Sequence, residues 1–213
     1  MLAQQQQMTW FSALFLDCGF VGWVLWLLSV LAVALMVQYI MMVRRMNIMP
    51  PALREQIQQM FEERQYRAVI DLTENEPSFM GYVMHAALNE AAHGYPAMER
   101  AMEEAAEERT TKLLRTIEWL NLIGNVGPML GLLGTVQGMI MAFFDIVRMG
   151  TVEASAIAKP IGLALVTTLE GLMIAIPVLS CFTFLRNRID SLTSEAMTTC
   201  QELIATFRPA GRS

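Results

Sequence analysis

Apolar positions in this chain gather into three long blocks, at 22–43, 120–147 and 160–185, separated by polar stretches. Each block is long enough for an α-helix to cross the ~30 Å hydrocarbon core of a bilayer, which takes ~20 residues. Trp23 and Trp26 mark one end of the first block, because indole rings settle at the headgroup level, and Arg44 and Arg45 stop it at the other. The third block stops at Arg186 and Arg188. The pattern predicts an all-α integral membrane protein with three transmembrane helices.

The polar region at 44–119 also reads as helical. Pro50-Pro51 opens a helix that should run through 52–74, since proline is tolerated in a first turn. Pro77 opens a second helix, which Gly94 closes as a C-cap. Pro96 opens a third, and no breaker follows before Gly124, so this helix should continue into the second span as a long extension. Residues 186–213 extend the third helix and fray at Arg208-Pro209.

Arg44, Arg45, Arg186 and Arg188 all follow directly on a span. The positive-inside rule then puts those ends in the cytoplasm, with the N-terminus outside and the C-terminus inside. Residues 148–159 become a short periplasmic loop, whose flanking Arg148 and Lys159 weaken the bias without reversing it. The first 21 residues lack the basic start and small-residue cleavage pattern of a signal peptide. They read as a periplasmic amphipathic segment anchored at the interface by Trp10, Phe11, Phe15 and Phe20.

Composition sharpens this picture mainly by exclusion. Hydrophobic residues make up 54% of the 213, and the formal charge of −5 excludes little. Cys18, Cys181 and Cys200 show no CxxC spacing and read as small apolar residues. His85 and His93 are the only histidines, and no nucleophile–base pair or phosphate loop is visible, so no enzyme, catalytic residue, metal or cofactor is expected. No basic face for nucleic acid appears. The acidic run Glu103, Glu104, Glu107 and Glu108 reads first as a solvated face, with Glu108 and Lys112 paired at i,i+4, and second as a surface for a partner.

The chemistry lies inside the second and third spans. In GPMLGLLGTVQG (127–138), Gly127, Gly131, Gly134 and Gly138 recur at intervals of four, three and four, so they share a helical face. Small residues there let helix backbones approach closely. Thr135 borders the stripe; it could line an ion path, or its hydroxyl could simply bond back to its own helix. In ALVTTLEGLMIAIP (164–177), Thr168 shares a face with Pro160, Ala164 and Ala175, while Glu170 lies roughly opposite, alongside Thr167 and Leu163. A carboxyl inside a span costs at least ~2.5 kcal/mol to insert, so its default reading is functional. Glu170 is then either a proton-relaying carboxyl, with a neighbour's threonine, Gln137 or Asn125 as partner, or a neutral interhelical hydrogen bonder. Pro128 and Pro177 should bend their helices.

These two strings resemble the ExbB/TolQ/MotA family of ion-channel motor subunits. GPMLGLLGTVQGMIMAF is similar to the family's GLxGTVxGM signature and ALVTTLEGLMIAIP to its EALxTTxxGLxxAIP block. The three-span plan favours the ExbB/TolQ branch. The resemblance covers 121–187 well and the first span by topology alone. It implies a bacterial inner-membrane proton channel: a homopentamer around a dimer of a single-span ExbD- or TolR-like partner, whose membrane aspartate carries the proton. A TonB- or TolA-like client would receive the work, in nutrient or protein transport or another envelope process. Thr135 and Thr168 match pore-lining threonines. The family's glutamate before ALxTT falls on Leu163 here, and the carboxylate expected to take over its role is Glu170, about two turns or ~10 Å further along nearly the same face.

One charge crossing a membrane supplies about 2.3 kcal/mol per 100 mV, enough to bias a bistable interface. The competing expectation is a passive membrane scaffold whose polar residues serve assembly alone.

Overall fold

The structure is a computed structural model that describes residues 19–149 and 154–207. Those residues form helices and turns. In chain order they are α1 (Gly19–Met42), α2 (Arg45–Ile48), α3 (Pro51–Glu62), α4 (Tyr66–Glu74), α5 (Phe79–Asn89), a 3₁₀ turn (Ala91–His93), α6 (Tyr95–Met149), α7 (Ala154–Ile204) and a second 3₁₀ turn (Ala205–Phe207). The anchors expected at Trp10, Phe11 and Phe15, together with Cys18 and Arg208-Pro209, lie outside the described residues.

Three helices, α1, α6 and α7, are long and apolar enough to cross a membrane. This agrees with the three blocks of the sequence, and α6 is unbroken from Tyr95 as expected.

The chain divides into two compact units. The first comprises the described parts of Met1–Val37 and Glu118–Phe182. Its interior is small and built of slender residues: Leu25 and Ala32 on α1, Leu120 and Ala142 on α6, and Ala164, Ala175 and Val178 on α7. Many of its largest side chains face outward, among them Phe20, Trp23, Leu27, Met129, Phe143, Val147, Leu165 and Ile176. An apolar exterior over a sparse core is the arrangement a bilayer requires, since lipid offers no hydrophobic penalty to exposed aliphatic groups. Trp23 and Trp26 meet edge to face, 6.4 Å between ring centroids.

The second unit comprises Gln38–Ile117 and the described part of Thr183–Ser213. Here the pattern reverts to that of a water-soluble bundle. On α7, Leu185, Ile189, Leu192, Ala196, Cys200 and Ile204 are buried at spacings of three and four, a core-facing stripe. Opposing residues are rich in methionine: Met80, Met84, Met98 and Met102 are all fully buried. Unbranched thioether chains fill irregular gaps where several short helices meet.

The short helices differ from expectation in several places. The helix predicted over 52–74 is two, α3 and α4, because Arg64 takes a left-handed conformation with φ 61°. The Arg64 amide donates to the Phe61 carbonyl at 3.1 Å and the Gln65 amide to Met60 at 2.9 Å. That pair of bonds is a Schellman ending, which usually has glycine where Arg64 stands. The second predicted helix is α5, starting at Phe79 rather than Pro77. Ser78 caps it by accepting from the Gly81 amide at 3.1 Å. Gly94, at φ 91°, ends the following 3₁₀ turn in a conformation that side chains avoid.

Candidate functional site

In the first unit, α6 and α7 run antiparallel and touch along the glycine stripe. Gly127, Gly131 and Gly134 are buried and Gly138 half-buried. A Cβ on Gly127 would sit 3.2 Å from the Gly171 carbonyl oxygen, and one on Gly131 would sit 2.8 Å from that of Thr167. A Cβ on Gly134 would strike the Thr167 side chain, and one on Gly138 would come within 2.7 Å of the Ala164 Cβ. The stripe read in the sequence is therefore a seam of backbone against backbone. Its complement on α7 is Pro160, Ala164, Thr167, Thr168 and Gly171. The expected face of Pro160, Ala164, Thr168 and Ala175 contains most of this; Gly171 was missed, though it follows Thr167 at helical spacing.

Close approach lets side chains of α7 reach the backbone of α6. Thr167, 3% exposed, donates to the Ala164 carbonyl at 2.8 Å and also lies 3.3 Å from the Gly131 carbonyl. Thr168 donates to the same Gly131 carbonyl at 3.2 Å. A carbonyl oxygen has two lone pairs; one serves the α6 ladder and the other is left for the hydroxyls of α7. The expected separation of Thr167 from Thr168 is thus corrected. Thr167 turns into the seam with Thr168 rather than away from it with Glu170, because the absence of a side chain at Gly134 leaves room there.

Thr135 is half-buried, and its hydroxyl donates to the Leu132 carbonyl of its own helix at 2.7 Å. Gln137 is exposed. Asn125 gives its amide to the Asn121 carbonyl at 2.8 Å and side-chain oxygen at 2.9 Å. Glu170 is half-buried, and its Oε2 is screened from solvent with no hydrogen-bond partner among the described residues. An isolated carboxyl oxygen out of contact with water is costly unless it carries a proton or meets a partner. Leu163, on the turn before Thr167, is half-buried and apolar.

Prolines interrupt the ladders close to this seam. Pro128 lies inside α6, and Pro160 and Pro177 inside α7. Each removes one backbone donor, so the carbonyl four residues earlier loses its helical partner; for Pro128 that is Gly124. The arrangement therefore concentrates hydroxyls, a carboxyl and under-used carbonyls in a span interior that is otherwise apolar. Such a set can bind and pass a small cation, most simply a proton, and can equally hold two helices together.

Comparison with known proteins points the same way. Residues 75–198 match the model of the MotA/TolQ/ExbB proton channel family. A biopolymer transport protein ExbB of Xanthomonas campestris is 33% identical over 115 residues, covering 54% of this chain and 46% of the relative. A protein of the same name from Neisseria gonorrhoeae is 41% identical over 73 residues, covering 34% of this chain and 33% of the relative. The biopolymer transport protein exbB1 of Vibrio cholerae is 28% identical over 168 residues, covering 76% of this chain and 73% of the relative. The match to the Xanthomonas protein thus spans about half of that relative's length.

Proposed function

The chain belongs to the MotA/TolQ/ExbB proton channel family, and we propose that it is the channel-forming subunit of a motor driven by the proton motive force. The proposed assembly is a homopentamer in a bacterial inner membrane around a dimer of a single-span ExbD- or TolR-like partner. The N-terminus lies outside and the C-terminus inside, a reading supported by the arginines that follow α1 and lie beyond the apolar part of α7. Work done on the partner energises protein or nutrient transport across the envelope through a TonB- or TolA-like client.

The observation that carries this reading is the polar set in and beside the α6–α7 seam. Thr135, Thr167 and Thr168 supply hydroxyls along one stretch of the span, and Glu170 supplies a carboxyl oxygen without a partner among the described residues. In the assembly, Glu170 takes the part of the carboxylate that Leu163 cannot play. A proton neutralises a carboxyl on the partner, which then moves past the threonines. At about 2.3 kcal/mol per charge per 100 mV, each step biases one set of helices against the other without covalent chemistry.

A second reading has its own observation. Each of the three threonine hydroxyls already meets a backbone carbonyl, which is what a scaffold held together by hydrogen bonds would show. Proton flux decides between them. The chain and its partner are reconstituted in vesicles with a pH-sensitive dye inside, and a potential is imposed. The channel reading expects flux in the wild type, loss in Thr168→Ala and loss in Glu170→Gln. Full flux in Glu170→Gln beside a dead Thr168→Ala removes Glu170 from the path, and an inert wild-type complex leaves the scaffold.

A further inference from the structure

The face of α6 that turns into the second unit buries Met98, Met102 and Ala105; at the next position of that spacing stands Arg109. An arginine where a hydrophobe is expected needs an explanation. Part of it is Tyr82, whose ring lies under the guanidinium with 4.4 Å from its carbon to the ring centroid. Stacking satisfies the plane of the group but none of its N–H donors. The Nε of Arg109 is screened from water and has no acceptor among the described residues.

Arg109 also lines a cavity of about 330 Å³ shared with Lys112, Met42, Ile48, Phe79 and Leu113. One side of this hollow is cationic, Asn47 and Thr116 add neutral polar groups, and the rest is apolar. Lys112 is bonded to Glu108 at 2.5 Å, and Glu108 also accepts from the Tyr82 hydroxyl at 3.1 Å. The hydrogen bonds from Lys112 and then Tyr82 hold the Glu108 carboxyl below its ordinary range, so it stays an anion. An ammonium has three donors, and this pair engages one of them. The three charges sum to one net positive.

The position of the hollow restricts what can fill it. Met42 is the last residue of α1, one of the three helices apolar enough to span a membrane, so the cavity lies where that helix ends. Helix C-termini repel anions through their free carbonyls. Here Asn47 donates its amide to the carbonyls of Met41 and Met42, each at 3.2 Å, which covers that negative end.

We propose that this cavity binds the headgroup phosphate of an anionic phospholipid. Arg109 and Lys112 hold the phosphate oxygens, and the glycerol and first methylenes lie against Met42, Ile48, Phe79 and Leu113. A zwitterionic headgroup brings its own cation next to Arg109 and binds less well. Free phosphate leaves the apolar wall uncovered. The site makes no use of proton conduction, so its test is separate from that of the preceding reading.

The full chain, purified in detergent, is titrated with dihexanoyl phosphatidylglycerol, dihexanoyl phosphatidylcholine and inorganic phosphate. Bound lipid is counted by native mass spectrometry. Binding of the phosphatidylglycerol should exceed that of the other two by about tenfold, and Arg109→Gln and Lys112→Gln should each lose most of that preference. Pro77→Glu places a carboxylate at the exposed rim without touching the core and should weaken the same lipid alone. Equal binding of both lipids overturns the proposal, as does phosphate binding as tightly as the lipid. Retention of the preference in both Arg109→Gln and Pro77→Glu overturns it too.

Discussion

The hydroxyl of Thr168 donates to the carbonyl of Gly131, 3.2 Å away and 37 positions earlier in the chain. The bond joins two spans at a point where neither has bulk to separate them. Thr168→Val keeps the shape of the side chain and removes the donor, while Thr167 remains near the same carbonyl. Interhelical hydrogen bonds in membranes average about 0.6 kcal/mol and reach about 1.7. A loss of stability under about 1 kcal/mol is therefore expected from unfolding in mixed micelles. If Thr168 also lines the ion path, proton flux in reconstituted vesicles should fall at least tenfold in the same variant. A flux loss matched by an equally large stability loss would mean that Thr168 acts only through packing.

The seam separates its glycines from one another. A Cβ at Gly171 would stand 2.6 Å from the Gly127 carbonyl oxygen, backbone that can give way only if the helices part. Gly171→Ala should cost about 1–3 kcal/mol, the usual range for overpacking a close contact. Gly162→Ala, nine residues earlier in the same helix, meets nothing within 4 Å and should not lower the unfolding midpoint. Equal effects at the two positions would refute the proposed packing of α6 on α7.

How far the sequence could foresee this follows from what helical spacing encodes. Intervals of three and four identify a face, so the spans and the stripe from Gly127 to Gly138 were legible, as was the unbroken α6. Spacing does not say which acceptor a hydroxyl chooses. Thr135 bonds back to Leu132 while Thr168 crosses to Gly131, and the difference depends on the local distance between helices. Thr167 was placed with Glu170 because the two are close on a helical wheel, yet the missing side chain at Gly134 draws it into the seam. The break between α3 and α4 was invisible for another reason. No glycine or proline marks it, and the left-handed residue is an arginine.

That arginine gives a stability prediction for the second unit. A left-handed backbone costs an L-residue roughly 1–2 kcal/mol, whereas glycine adopts it freely and gives back ~0.5–1 kcal/mol in the entropy of the unfolded chain. Arg64 is exposed, so its side chain contributes little that glycine would lose. Arg64→Gly should stabilise this unit by about 0.5–1 kcal/mol, read as a higher thermal midpoint by circular dichroism. Arg64→Val should lower it, since a β-branched residue tolerates that conformation least.

Cys200 lies in the buried stripe of α7 with none of its surface exposed, and burial pushes its thiol up to about 12 from an ordinary value of 9.0. The reactive form of a thiol is the thiolate, so in the folded protein Cys200 should resist iodoacetamide at pH 8. Peptide mass spectrometry should find it unmodified until denaturant opens the second unit, with modification tracking loss of helix. The same shift sets a pH dependence. The folded state favours the neutral thiol, so its contribution to stability is complete below pH 9 and declines as pH rises from 9 towards 12, where the unfolded chain ionises first. Cys200→Ala leaves a small cavity and should be the less stable protein at pH 8. The difference from the wild type should narrow at pH 10.5, because only the wild type loses this linkage. A constant difference across that range, or rapid alkylation at pH 8, would mean that the thiol is not held in the apolar interior between these helices.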